Sequence, residues 1–185
     1  AGPLALYFQS SRLTGDSGLS TLAASPNGSQ TANGHIDSAR KDTAISADQA
    51  YGRYTYGNEQ TTVNAGVTVT GDSQVAETGI LVVPGTIIGT VLAKDDSIVK
   101  GGGTIQGPLT LSERAKIAPG NSPGCLSTGN LKLVAGTSYD FEIGGANAAC
   151  GAADGKDQVQ VTGTVPLGNG TLNPLPNHGL KPPTN

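Results

Sequence analysis

The sequence predicts an all-β protein: a short parallel β-solenoid carrying a polar N-terminal extension. Three observations point there. The first is composition. Of 185 residues, 28 are Gly, aromatics make up 4%, charged residues 14%, and Met and Trp are absent. Such a chain has to build its core from Val, Leu, Ile and Ala, and its wealth of Thr, Ser, Asn and Gly favours strands and turns over helices. The second is recurrence. Short alternating triplets appear from Thr61 onward: VTV at 67–69, TVL at 90–92, LTL at 109–111, LKL at 131–133 and VQV at 159–161. Val69 to Val91, Leu109 to Leu131 and Leu111 to Leu133 are each 22 residues apart, with other offsets of 18 and 28. A near-period in the low twenties, made of very short strands and Gly-rich turns, is the pattern of stacked coils. Each coil has too little apolar surface to fold alone and buries it against its neighbours. The third is turn chemistry, concentrated in the two Pro-Gly pairs of IAPGNSPGCL (117–126).

Taken in order, residues 1–60 form the extension. It is polar and aperiodic except for LALYF at 4–8, whose Leu4, Leu6, Tyr7 and Phe8 make the densest apolar run near either terminus. This run reads as an edge strand folded back to cap its own solenoid, as a strand donated to a neighbouring subunit, or as a tag remnant, since LYFQS matches the core of a common protease tag site with Leu4 in place of Glu. Thr43–Ala50 reads as two helical turns. YGRYTYG (51–57) reads as a strand whose tyrosines pack on the next element. Residues 61–173 form the solenoid. Residues 174–185 form an extended Pro-rich tail with Pro174, Pro176, Pro182 and Pro183. Within it, LPNHG (175–179) has the outline of a sorting signal with His178 in place of Thr, but neither an apolar stretch nor a basic end comes after it.

The two Pro-Gly pairs have a conformational reason. Pro sets φ at the second residue of a turn and Gly supplies the positive φ that a type II turn needs next. Pro119-Gly120 and Pro123-Gly124 therefore read as successive turns at one corner of a coil. The same residues spell G-x-S-x-G around Ser122, the form of a hydrolase nucleophile elbow. That elbow takes an oxyanion-hole donor from the residue after the serine, and here that residue is Pro123, which has no N–H. His35 and His178 lie in polar sequence far from any triad signature.

Cys125 and Cys150 are the two cysteines. They are either two buried thiols or a disulfide. The polar composition, poor in Lys, suits an exported protein and favours the bond.

The stretch LTLSERAKIAPGNSPGCLSTGNLKLVAGTSYDFEIGG (109–145) resembles the autotransporter-associated β-strand repeat. Its matching positions are Leu109, Leu111, Ala118, Pro119, Gly120, Ser122, Pro123, Gly124, Leu126, Gly129, Leu131, Leu133, Gly136, Tyr139, Phe141 and Glu142. DQVQVTGTVPLGNGTLN (157–173) is similar to the continuation of that repeat in the same family. The resemblance implies a right-handed β-solenoid exposed at a bacterial surface, with no catalytic residues.

A net charge of −3 with no basic block argues against nucleic acid as a partner. The longest apolar run, Ile80–Ala93, is broken by Pro84, Gly85 and Gly89 and is too short to span a bilayer. Asp95-Asp96, Asp154 and Asp157 lack the spacing of known calcium loops and read as solvated turns. Asp140 and Glu142 share a strand face opposite Tyr139, Phe141 and Ile143, which explains them as solvent-facing rather than as a glycosidase pair. No catalytic residue, metal or cofactor is expected. The function expected is that of a non-enzymatic, extracellular structural protein at a bacterial cell surface. It would be a subunit of a fibre or pilus-like filament whose partners are copies of itself. The alternative is an adhesin or passenger piece that binds a host or neighbouring-cell receptor. A polysaccharide-active β-helix enzyme ranks below both.

Overall fold

The structure, a computed structural model, describes residues 41–120, 124–144, 149–150, 152 and 155–175. They contain no helix and wind as a β-solenoid of about five turns. The first coil carries β1 (Lys41–Ile45) and β2 (Tyr54–Thr55), with Gln49 bridged to Val69 between them. The second carries β3 (Glu59–Val63), β4 (Thr68–Thr70) and β5 (Ser73–Val75). The third carries β6 (Ile80–Val82), β7 (Thr86–Ile88) and β8 (Val91–Ala93). The fourth carries β9 (Ile98–Gly101), β10 (Thr104–Ile105) and β11 (Leu109–Leu111). The fifth carries β12 (Lys116–Pro119), β13 (Cys125–Thr128) and β14 (Leu131–Lys132). Next come β15 (Ser138–Glu142) and β16 (Gln158–Val161), and β17 (Thr171–Leu175) lies on β15.

Each strand pairs with its equivalents in the coils before and after, giving three parallel sheets. The first runs β1-β3-β6-β9-β12-β15-β17, the second β16-β13-β10-β7-β4, and the third β14-β11-β8-β5-β2. Strands this short suffice because those of the regular coils bury alternate residues against their neighbours. In LTL, Leu109 and Leu111 point inward and Thr110 outward. Stacking in register turns the inward positions into columns. Leu81, Val99 and Ile117 form one, continued by Tyr139. Val91, Leu109 and Leu131 form another. All of these except Tyr139 belong to the buried core, where each aliphatic side chain contributes about 1.5–3 kcal/mol.

The true period corrects the one expected from the triplets. Ile80 lies beside Ile98, and Ile98 beside Lys116, a step of 18 residues. The 22-residue step holds where Leu109 meets Leu131. Val69 and Val91, also 22 apart, lie in different sheets: Val69 pairs with Ile87 and Val91 with Ser73. The ladder also begins at Lys41, ahead of Thr61. KDTAI has only one large aliphatic residue and no apolar alternation, yet it forms β1 in place of the helical turns expected over Thr43–Ala50. Its backbone is held by pairing with all of β3.

Two corners are stacked along the solenoid axis. Between the second and third sheets, Gly52, Gly71, Gly89, Gly107, Gly129 and Gly163 lie one above another. A Cβ added at Gly107 would collide with the Gly89 carbonyl group, and one at Gly129 would lie 2.8 Å from the Gln106 carbonyl oxygen. The return corner from the third sheet to the first uses pairs of left-handed non-Gly residues. These are Glu77 and Thr78 (φ 51° and 67°), Asp95 and Asp96 (53° and 61°), and Glu113 and Arg114 (49° and 67°). Two successive positive φ values are the type I′ turn. Asp95-Asp96 is thus a strained turn with a ladder of charge on it: Arg114 donates to both Asp96 carboxylate oxygens at 2.9 and 2.7 Å.

The glycine ladder gives a direct test. Gly107→Ala is expected to lower stability by about 1–3 kcal/mol through overpacking against backbone. Gly66→Ala, where φ is 79° but nothing lies within 4 Å of the new Cβ, should cost about 1–2 kcal/mol through backbone strain alone. Denaturant midpoints of the two variants and the parent check the difference.

Candidate interaction surfaces

Three surfaces stand out from the regular coils: a corner that grows, two unlike ends, and a tyrosine groove. The corner between the first and second sheets is tightest at Gly101–Gly103. One coil later the same corner is the Pro119–Gly124 stretch, and the register of the second sheet widens from 18 residues (Thr86 to Thr104) to 23 (Thr104 to Ser127). One coil further it spans the chain between Glu142 and Gln158, and the register becomes 33 (Cys125 to Gln158). Gly120 has φ 82°, and its N–H bonds the Gly101 carbonyl at 2.7 Å. Pro119 is the last residue of β12, and Gly124 packs against Gly120 so closely that a Cβ there would overlap its backbone. Ser122 and Pro123 lie outside the described residues, as do His35, Asp154, His178 and the 4–8 segment.

Two cross-links fasten the longest insertion to the coil beneath it. Cys125, at the start of β13, is disulfide-bonded to Cys150, 25 residues later. Asp157, read from sequence as a solvated turn, instead clamps two strands: it accepts the Gly124 N–H at 2.7 Å and the Glu142 N–H at 2.9 Å. Its partners are 33 and 15 residues away, so nothing in the local sequence marks it. Burial lifts the Asp157 carboxyl above its ordinary range despite the two N–H donors, and the neighbouring Glu142 adds to the rise. Beneath it Tyr139 is pushed up to about 12, chiefly by burial. Asp140, Glu142 and Asp157 line a depression of about 210 Å³ with Lys100 and Leu175.

The two ends of the solenoid differ in chemistry. The inward positions from the first coil into the start of the second are largely polar. Arg53, Thr55, Glu59 and Thr61 are buried, Thr55 and Thr61 share a hydroxyl hydrogen bond of 2.8 Å, and the Arg53 N–H donates to Ser73 Oγ at 3.0 Å. Burial holds the Arg53 guanidinium below its usual range, with Glu59 acting the other way. The last coil is apolar and uncovered. Leu172 lies beside Tyr139 in register, one step beyond Ile117 in a core column, yet it is 53% exposed. Leu131 and Leu133 donate to the carbonyls of Thr164 and Pro166. By the same offset seen elsewhere in the ladder, this sets Val165 and Leu167 over Leu131 and Leu133, at 45% and 46% exposure. These residues occupy core positions with no coil above them among the described residues.

The tyrosines depart from expectation. Tyr54 and Tyr56 stack on each other with centroids 5.2 Å apart rather than packing beneath another element, and Tyr51 and Tyr54 are exposed. Tyr54 borders a groove of about 390 Å³ floored by Leu92 and edged by Asp72, Gln74 and Thr90. Among the described residues no cluster of His, Cys, Asp and Glu is placed to hold a metal, and no helix is long and apolar enough to cross a membrane. Comparison with protein-family models, curated proteins and solved structures finds no match.

Two outcomes are expected at the corner. Reduction of Cys125–Cys150, or its replacement by two serines, should cost about 3 kcal/mol in the chain-entropy account, read as a lower melting midpoint in reductant. Asp157→Ala leaves two partly buried N–H groups without an acceptor and should cost about 1–3 kcal/mol. A melting curve of D157A that overlays the parent removes the clamp assigned here.

Proposed function

We propose that the protein is a non-enzymatic structural subunit of an extracellular, cell-surface fibre, in which solenoids join end to end. The observation that supports this reading best is the unfinished C-terminal end. Val165, Leu167 and Leu172 continue core columns yet face water, and a strand edge lies open beside them. Solenoid ends need a cap or a partner, and an end-to-end contact between unlike faces does not close on itself but propagates. The resemblance of 109–173 to a repeat of bacterial surface passengers, together with the disulfide, fits an extracellular setting.

A second reading is an adhesin or passenger piece that binds a host or neighbouring cell. The exposed Tyr51 and Tyr54 beside the 390 Å³ groove favour it, since aromatic rings with a polar handle are common anchors at interfaces.

The two readings separate by size. Sedimentation velocity across a hundredfold concentration range, with negative-stain electron microscopy, should show growing linear assemblies for a fibre subunit. A protein that stays monomeric throughout, but binds cells in a manner lost in Tyr54→Ala, supports the second reading and rejects the first.

A further inference from the structure

The fibre reading leaves open how one solenoid end meets the next, and the two ends are chemically unlike. Direct stacking would place the first coil, whose inward Arg53 and Thr55 are polar, against Val165, Leu167 and Leu172 of the last. Aliphatic side chains laid on polar ones gain little, since the polar groups find no hydrogen-bond partner there. An apolar element between the two ends would cover Val165, Leu167 and Leu172 better than the first coil does.

The strand edges at the C-terminal end are also unequal. In a parallel ladder the backbone groups of successive residues point alternately to one neighbour and the other. Thr171 donates to Thr137, so Thr171, Asn173 and Leu175 face β15, and Leu172 and Pro174 face the free side. Pro174 has no N–H, which blunts β17 against further pairing. In β16, Gln158 and Thr162 donate to Gly124 and Thr128, so Val159 and Val161 turn both their N–H and C=O groups to the free side. β16 is the intact acceptor, and it sits beside the uncovered columns.

Outside the described residues, the tail at 176–185 and the apolar run at 4–8 are candidates for the missing strand. The tail at 176–185 offers one aliphatic residue, Leu180, among three prolines. The segment 4–8 offers Leu4, Leu6 and Phe8 on one side of an extended strand, with Ala5 and Tyr7 on the other. Its own chain enters the solenoid at Lys41, at the far end. Six strand spacings, about 29 Å, separate that end from the acceptor within one molecule. In an end-to-end stack, the Lys41 of the following copy emerges next to the acceptor itself.

We propose, resting on the fibre reading, that residues Leu4–Phe8 of a second copy add as a strand to the free edge of β16 and lay Leu4, Leu6 and Phe8 over Val161, Val165, Leu167 and Leu172. The donated strand separates the polar first coil of one subunit from the apolar last coil of the next. The N-terminal extension becomes the linker between subunits.

The test uses the full chain and two variants. Leu6→Asp disables the donor and lies outside the described residues. Leu172→Asp disables the acceptor at a position already exposed. Each alone should raise the concentration needed for assembly at least tenfold, with unchanged melting. Mixed in equal amounts, they should give discrete heterodimers, because one retains a working donor and the other a working acceptor. A synthetic peptide of residues 1–13 should cap wild-type assemblies, and its Leu6→Asp form should not. If the L6D protein assembles like the parent, strand donation is overturned while the fibre reading stands. If the parent itself never assembles, both fall. If the parent is monomeric and only removal of residues 1–9 exposes a peptide-binding edge, the strand docks within its own chain and the second-copy proposal is rejected.

Discussion

The parallel ladder between successive coils is the constraint on which everything else depends. It sets the distance between neighbouring strands at about 4.8 Å, and every corner has to bring the backbone around at that same spacing. Where the turn brings backbone directly under backbone, a side chain does not fit, and six glycines stand in a column from Gly52 to Gly163. Where it takes a left-handed pair instead, the chain tolerates Glu, Thr, Asp and Arg at φ values those residues ordinarily avoid. The cost, on the order of 1–3 kcal/mol per strained residue, is offset by inter-coil hydrogen bonds such as Thr78 N–H to the Asp95 carbonyl at 2.9 Å.

The same ladder lets one corner vary while the others stay fixed. The corner between the first and second sheets lengthens coil by coil, from Gly101–Gly103, through Pro119–Gly124, to the stretch held by Cys125–Cys150 and Asp157. The third sheet barely registers the first insertion: Leu109 still meets Leu131, and Val91 still meets Leu109. A solenoid absorbs insertions as outward loops because each strand answers only to its neighbours above and below. The cross-links appear where the loop is longest and the ordering cost highest.

The interior also changes along the axis. The position filled by Ser73 in the second coil is Val91, Leu109 and Leu131 in later ones. A polar start and an apolar finish make the two ends chemically unlike, which gives the particle a direction. The proposed function rests on that polarity, and on the exposed tyrosines near the polar end, rather than on any assembled catalytic group.

The sequence by itself determined the fold class, because inward and outward positions alternate within each triplet and that alternation needs no knowledge of partners. At the Pro-Gly corner it anticipated the positive φ of Gly120, because turn chemistry is local. It did not determine the period. LTL and LKL are true ladder neighbours, whereas VTV and TVL only share a spacing, and which triplets stack is decided by the loop lengths between them. Nor did it reveal β1, whose KDTAI owes its strand form to pairing with β3 rather than to its own pattern. Asp157 as a clamp, and Leu167 and Leu172 as core residues left in water, were decided by the tertiary structure alone. Each acquires its role from residues a coil away, and a contact across 33 positions, such as Asp157 to Gly124, leaves no trace in the neighbouring sequence.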